Sequence, residues 1–388
     1  MNPMRKFIIV TFFSGCFFLA GHLLPLIFVD PLNISQAELT DNEFYIREMR
    51  FQSAGIINKL DFDSVIIGSS MAENFLPQTA ADILGGKFVN LSLSGSLLSE
   101  RKVVLDHLFR KKKISKVLIS LDGITNIQRN RGIPLDSWSY LYNDSYYDDF
   151  TVYLTRKFSP YLSCHSVLKK PISNFIFGNC PNEKIRNNVE NLTEWQSDPD
   201  QNSRFGGVDS WVKHKKNQQI DASIKKINRS IVKTAERTEA YTKQSERIIY
   251  DIDEFIENIS PLILEQSNTQ FILFFPPYSV YHHAVTKELE PNIYNQYLDV
   301  VKSLVAEVSQ YPNADIYWFQ DEGFSNDIEN YKDLTHYHQN ISNLLLRNIS
   351  QGRSKMTNEN HLDLLNEFET QVSNVDLMTL ANALNKIN

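Results

Sequence analysis

The stretch VIIGSSMAENF, residues 65–75, ends a run of β-branched residues at Gly68 and follows it at once with Ser69 and Ser70. A hydroxyl at such a junction is either a turn or helix-cap residue or a nucleophile held at the mouth of a sheet. Serine attacks only when a base takes its proton, and the usual base is a histidine oriented by a carboxylate. The chain has nine histidines. His22 lies in an apolar N-terminal run, and His107, His165, His214, His282, His283 and His361 have no carboxylate at a useful spacing. In YKDLTHYHQN, residues 331–340, Asp333 stands three residues before His336. On one loop, that spacing lets the carboxylate reach the ring's Nδ1 and leaves Nε2 free to face a serine. His338 has no aspartate three residues before it and is expected at the start of a helix. Taken alone, Gly-Ser-Ser after a strand also suits a turn, and Asp-x-x-His also suits a solvated surface pair.

What would bring these residues together is an alternation of strands and helices. Buried-strand patterns occur at 64–68, 87–93, 116–122, 269–277 and 314–319, and helical spacing of apolar residues occurs at 96–112, in YNQYLDVVKSLVAEV and at 337–349. A helix near 43–59 and another that bends at Pro261 complete the pattern. Such alternation predicts an α/β fold with parallel pairing and a sheet covered on both faces. Five strands suit a flavodoxin-like, three-layer order 2-1-3-4-5, which binds ligands outside the carboxyl ends of the strands beside the first strand. The serines end the first strand and Asp333-x-x-His336 follows the last, so both fall on one rim. The expected organisation is an anchor over 1–30, a juxtamembrane segment over 31–60, an α/β domain over 61–350 with a large insertion at about 123–240, and a polar tail over 351–388 with one weak helix near 361–372. There is no internal repeat.

Composition excludes several classes. A hydrophobic fraction of 42% and an aromatic fraction of 12% rule out general disorder. A net charge of −7 with only short basic runs argues against a nucleic-acid binder. The run Arg110–Lys113 reads as a helix C-terminus, where cations suit the dipole. Residues from Phe7 to Val29 contain no Asp, Glu, Lys or Arg. A helix of that length rises about 35 Å, enough to cross a bilayer. Arg5 and Lys6 precede it and Asp30, Glu38, Asp41 and Glu43 follow, so a single-pass anchor with a cytoplasmic N-terminus and an extracytoplasmic main domain is expected. Cys164 and Cys180 would lie on the exported side, as a disulfide or as two free thiols. Trp138, Trp195, Trp211, Tyr140, Tyr142, Tyr146 and Tyr147 in the insertion either stack on sugars or form a small core of their own. No CxxC pair, HExxH, Walker A or GxGxxG occurs, and no cofactor or metal is expected. His282 and His283 are read as solvated loop residues rather than metal ligands.

The rim constellation resembles the SGNH/GDSL hydrolase superfamily, in particular its membrane-anchored, envelope-facing branch of teichoic-acid D-alanine transfer and alginate acetyltransferase-like proteins. The resemblance rests on Gly68-Ser69-Ser70, on NLSLSGS (90–96) and on Asp333-x-x-His336, and covers about residues 62–125 and 268–350. It implies that Ser70 is the nucleophile and an oxyanion donor through its N–H. It further implies a second donor at the Gly95 N–H, and Asp333 and His336 as orienter and base. The family's third block, G-x-N-D after strand three, is absent: SLDGITN stands there, with Asp122 and Asn126 near but out of position. Asn126 is the possible side-chain donor. The implied activity is a serine esterase or O-acyltransferase acting on an envelope polysaccharide. The alternative is a non-catalytic envelope protein that works with the glycan-assembly machinery.

Overall fold

A computed structural model describes residues 3–30, 32–34, 45–124, 134–145, 148–154, 192, 193, 195, 198–232 and 250–386, without the side chains of 18–29, 150, 153, 154 and 386. The chain divides into two compact units, 1–60 with 133–192 and 61–132 with 193–388.

In the first unit, α1 (Pro3–Val29) and α2 (Met49–Lys59) are the α-helices among the described residues. The side chains of α1 are described only as far as Phe17, and among the described residues no helix is long and apolar enough to cross a membrane. The expected helix near 43–59 begins at Met49 and buries residues Met49 to Ile57, so it is enclosed rather than half-exposed. Gly55 is required there, because a Cβ would lie 1.9 Å from the Leu32 carbonyl oxygen. Trp138 packs edge-on to Tyr142, whose hydroxyl donates to the Arg50 carbonyl at 3.0 Å.

The second unit is α/β. Its strands are β1 (Ser64–Ile67), β2 (Phe88–Asn90), β3 (Lys116–Ser120), β4 (Gln270–Phe274), β5 (Ala314–Tyr317) and β6 (Lys355–Met356). The sheet order is β2-β1-β3-β4-β5-β6. The first five pair in parallel, with Val65 opposite Val89 and Val117, and only β6 runs antiparallel, against β5. β1, β2 and most of β3 and β4 are buried without interruption, as strands covered on both faces must be.

Helices α3 (Pro77–Leu84) and α4 (Leu98–Lys111) carry the crossovers from β1 to β2 and from β2 to β3. These crossovers run in opposite directions along the sheet. With right-handed connections, α3 and α4 therefore cover opposite faces. The order reverses at β1, which opens a crevice at its carboxyl end. After β3 come α5 (Pro199–Asn202), α6 (Gly207–Lys213), α7 (Gln218–Ser230), α8 (Asp253–Asn258) and α9 (Ser260–Glu265). The break between α8 and α9 falls at the expected bend beside Pro261. α10 (Val280–Leu289) and α11 (Pro291–Val308) join β4 to β5, and α12 (Gln339–Ser350) follows β5.

Two expectations are corrected. The tail is structural: besides the expected helix, α13 (His361–Ser373), it supplies β6 and α14 (Leu377–Lys386), with Leu365, Phe368, Val372 and Leu380 buried. Its apolar residues are spaced thinly among polar ones, which made it look like a tail. Of the insertion, expected within the α/β domain, residues 133–192 group instead with 1–60, whereas the part from Thr193 onward belongs to the α/β unit.

Candidate active site

The turn after β1 is built around Gly68. A Cβ at that position would lie 2.7 Å from both Ala72 Cβ and Ser120 Cβ, so only glycine lets the turn close against β3. Asn90, at the end of β2, fastens the far side of the turn: its Nδ2 donates to the carbonyls of Ala72 (2.8 Å) and Phe75 (2.9 Å). Ser69 is buried and Ser70 half-buried, so of the two hydroxyls it is Ser70 that faces outward.

The partners come from the loop after β5. Tyr331 and Tyr337 form an antiparallel bridge, and Lys332 N–H donates to the His336 carbonyl at 3.1 Å, which folds Asp333–His336 into a tip. Asp333 Oδ1 shapes it, accepting the N–H groups of Thr335 and His336 at 2.9 Å each. The same carboxylate receives His336 Nδ1–H, with Oδ2 at 2.7 Å. His336 Nε2 lies 2.9 Å from Ser70 Oγ. Tyr337 ties the loop to the serine turn by donating to the Met71 carbonyl at 2.6 Å. The arrangement is a continuous line from buried carboxylate through imidazole to hydroxyl, with the His336 side chain 13% exposed. Burial pushes the Asp333 carboxyl up. The charge on His336, the bond from its ring and the two backbone N–H groups outweigh burial and hold it well below the usual carboxylate range. His338 is, as expected, at a helix start, where its Nδ1 accepts Asn340 N–H at 3.2 Å.

Beneath the serines lies a network that the sequence did not disclose. Ser69 Oγ donates to Asp122 Oδ2 and accepts Met71 N–H at 3.2 Å. Asp122 Oδ1 also accepts Ser120 Oγ–H (2.5 Å) and Arg101 Nη2–H (3.2 Å). Arg101 is fully buried; it reaches the Ser120 carbonyl at 2.6 Å and Ser96 Oγ at 2.9 Å, and Ser96 in turn donates to the Gly68 carbonyl. Asp122 is thus committed as an acceptor. Gly95 sits in the exposed turn between Leu93 and Ser96 at φ +64°, beside the site, because Leu93 N–H donates to the Gly68 carbonyl at 2.8 Å. Asn126 lies outside the described residues, as do Tyr146, Tyr147, Cys164 and Cys180.

Trp138, Trp195 and Trp211 are each no more than 3% exposed, so none offers a free face to a sugar. Trp211 Nε1 donates to the Tyr331 carbonyl at 3.0 Å, under the histidine loop. Trp195 packs edge-on to His336, with ring centroids 5.2 Å apart. His282 and His283 are corrected from loop to helix α10. His283 is buried, donates Nε2–H to Gln320 at 3.0 Å and stacks on Tyr297. Its ring lies against His282, Tyr278, Tyr297 and Phe368, and among the described residues no cluster could hold a metal ion.

The site lines up a carboxylate, an imidazole and a hydroxyl on the rim of the sheet, an arrangement chemically suited to activating a serine hydroxyl. Compared with known proteins, the chain matches no protein-family model, and no curated protein matches it.

Proposed function

We propose that this chain is a serine-dependent ester hydrolase or O-acyltransferase of the SGNH type. The observation that carries the reading is the unbroken hydrogen-bonded line Ser70–His336–Asp333, which joins Ser70 to a histidine 266 positions away in sequence. The strand order, with its reversal at β1, supports a flavodoxin-like frame of that type.

In the reaction, Ser70 Oγ attacks an ester carbonyl while His336 Nε2 takes its proton. Asp333 keeps the ring in the Nδ1–H tautomer and stabilises the imidazolium that forms. The Ser70 N–H, with an N–H of the Gly95 turn, faces the developing oxyanion. His336 returns the proton to the leaving alcohol. Water or a sugar hydroxyl then attacks the acyl-enzyme, with His336 again as base. The substrate class is the acyl esters of an envelope polysaccharide. The support is the uncharged run Phe7–Val29 behind Arg5 and Lys6, which suits a single-pass anchor with the α/β unit outside. On fractionation, the full chain is expected with membranes and a chain lacking residues 1–30 in the soluble fraction.

A non-catalytic role in glycan assembly or export on the same frame is the second reading. It is favoured by Asp122, which stands near the place of the family's asparagine donor and is occupied as an acceptor. Labelling with a fluorophosphonate, read by peptide mass spectrometry, separates the two. An adduct on Ser70 that disappears in His336→Ala supports the enzyme. A folded protein that takes no label at Ser70 supports the scaffold.

A further inference from the structure

The base has a neighbour that the triad does not account for. Trp195 stands just past the point where the chain re-enters the α/β unit, and its indole lies edge-on to the imidazole of His336 at 5.2 Å and an interplanar angle of 67°. Aromatic pairs at this separation prefer such tilted geometry, and the contact restricts both rings. The indole is itself held on three sides. Its Nε1–H donates to Glu73 Oε2 at 2.7 Å, its backbone N–H donates to Asn74 Oδ1 at 2.9 Å, and the Lys332 ammonium stands 3.5 Å from the ring centroid. Lys332 in turn donates to Gln201 Oε1 at 2.7 Å. Trp195, Glu73, Asn74 and Lys332 are all buried. Glu73 and Asn74 belong to the turn that carries Ser70, and Lys332 to the loop that carries His336. The indole therefore touches the base while being fixed by residues from the nucleophile's turn and from the base's own loop.

A histidine's outer torsion is soft, with a broad, roughly two-fold profile. The bond from Nδ1 to Asp333 limits the ring, but a rotation about that bond still carries Nε2 away from Ser70. A wall on the ring's flank removes this freedom. We infer that Trp195 is a positioning residue for the base: pinned by Glu73 and Lys332, it keeps the His336 ring on the line between Asp333 and Ser70. The inference rests on the proposed role of His336, and it gives the buried Trp195 a function other than binding sugar.

The test uses the full-length chain in detergent, with Ser70 labelling by a fluorophosphonate as a second-order rate and thermal unfolding measured on the same samples. Trp195→Ala is expected to slow labelling 10- to 100-fold, since a misplacement of about 1 Å can cost on the order of 10² in rate. Trp195→Phe keeps an aromatic ring beside the imidazole but loses the bond to Glu73, so it is expected to slow labelling about as much as Glu73→Leu does. Glu73→Gln retains an oxygen acceptor for the indole N–H and should label within about 3-fold, whereas Glu73→Leu should fall at least 10-fold. A purely structural tryptophan would lower the melting temperature and leave the rate of the folded fraction unchanged, and that result in Trp195→Ala and Glu73→Leu overturns the inference. Ring 15N spectra of His336 make the test independent of activity. The unsubstituted chain should show one fixed tautomer, and Trp195→Ala should show averaged ring nitrogens. If the unsubstituted chain does not label, the enzyme reading fails, and the spectra alone then decide whether Trp195 fixes the ring: unchanged nitrogens in Trp195→Ala refute it.

Discussion

Replacing Asp333 with asparagine should leave the fold in place and nearly abolish the nucleophile. Asp333 Oδ1 accepts two backbone N–H groups at 2.9 Å, from Thr335 and His336, while Oδ2 takes the proton of His336 Nδ1 at 2.7 Å. Asparagine has one acceptor oxygen. The two backbone donors are fixed in the loop and claim it, which turns the amide NH2 toward Nδ1. Nδ1 must then accept, so the ring proton moves to Nε2. Nε2–H faces Ser70 Oγ at 2.9 Å and cannot take its proton. The imidazolium also loses its counter-charge. In a Ser-His-Asp triad this same change costs on the order of 10⁴ in rate, about 5.5 kcal/mol of barrier. The assay is the second-order labelling of Ser70 by a fluorophosphonate, followed by intact mass, with circular dichroism to confirm the fold. Ring 15N spectra should show the proton transferred from Nδ1 to Nε2. A folded Asp333→Asn chain that labels within 10-fold of the unsubstituted protein would refute the reasoning.

Arg101→Met should destabilise the α/β unit by roughly 3–5 kcal/mol, because it leaves the nearly buried Asp122 carboxylate without its guanidinium. Urea unfolding measures the loss, and adding Asp122→Asn should recover part of it. Gly68→Ala should cost about 1–3 kcal/mol and slow Ser70 labelling, since the new methyl meets Ala72 Cβ and Ser120 Cβ at 2.7 Å. Unfolding and labelling on the same sample check both. Stability should also fall on acidification, in two stages. Burial pushes the His283 pKa down to about 4, outweighing the bond to Gln320. Between the ordinary value of about 6.5 and about 4, the unfolded chain thus binds a proton that the folded chain refuses. Stability contributed by neutral His283 is complete above that window and declines through it. His283→Gln should flatten the slope in urea titrations between pH 7 and 4. Asp333, held below its ordinary value, adds a further loss only below about pH 4.

The α/β frame and the placement of Ser70 beside Asp333 and His336 were legible because they rest on local signals. Continuous apolar strands such as 64–67 and 270–274, punctuated by Gly68 and by Pro276-Pro277, mark a parallel sheet, and five of them alternating with helices suit the doubly wound order that reverses at β1. Asp333 and His336 share a loop, so their spacing was readable. Arg101 was not, because it sits on a helix whose sequence, SERKVVLDHLFRKK, shows it as one cation among many; its burial is decided by strands that are far away in sequence. Trp195 was visible only as an aromatic in a polar stretch. Its partners Glu73 and Lys332 lie 122 and 137 (332 − 195) positions away, and no periodicity connects them. β6 escaped because two residues carry no strand pattern.

On the proposed serine-ester reading, the carboxyl end of β3 sets which esters the site should turn over. In the expected family pattern an asparagine there donates to the oxyanion. Here Asp122 accepts from Ser69, Ser120 and Arg101, and so supplies no proton. Replacing it by asparagine would not restore a donor to the oxyanion, since Arg101 and Ser120 would claim the amide oxygen and the NH2 would fall against Ser69 Oγ. Among the described residues, the tetrahedral intermediate is left to backbone N–H groups: that of Ser70 and one from the turn at Gly95, whose φ of +64° and open surroundings leave its backbone exposed. One missing donor costs on the order of 10²–10³ in rate, or about 3–4 kcal/mol. The deficit falls most heavily on substrates whose intermediate carries most charge and is slowest to collapse. Aryl or thioester donors, with good leaving groups, should therefore acylate Ser70 readily, while alkyl esters of the same acyl group should lag by at least 10³-fold. Burst kinetics with a 4-nitrophenyl ester against acyl release from the matching alkyl ester measure the ratio. Equal rates on the two would mean that a third donor reaches the site and that the reading of Asp122 is wrong.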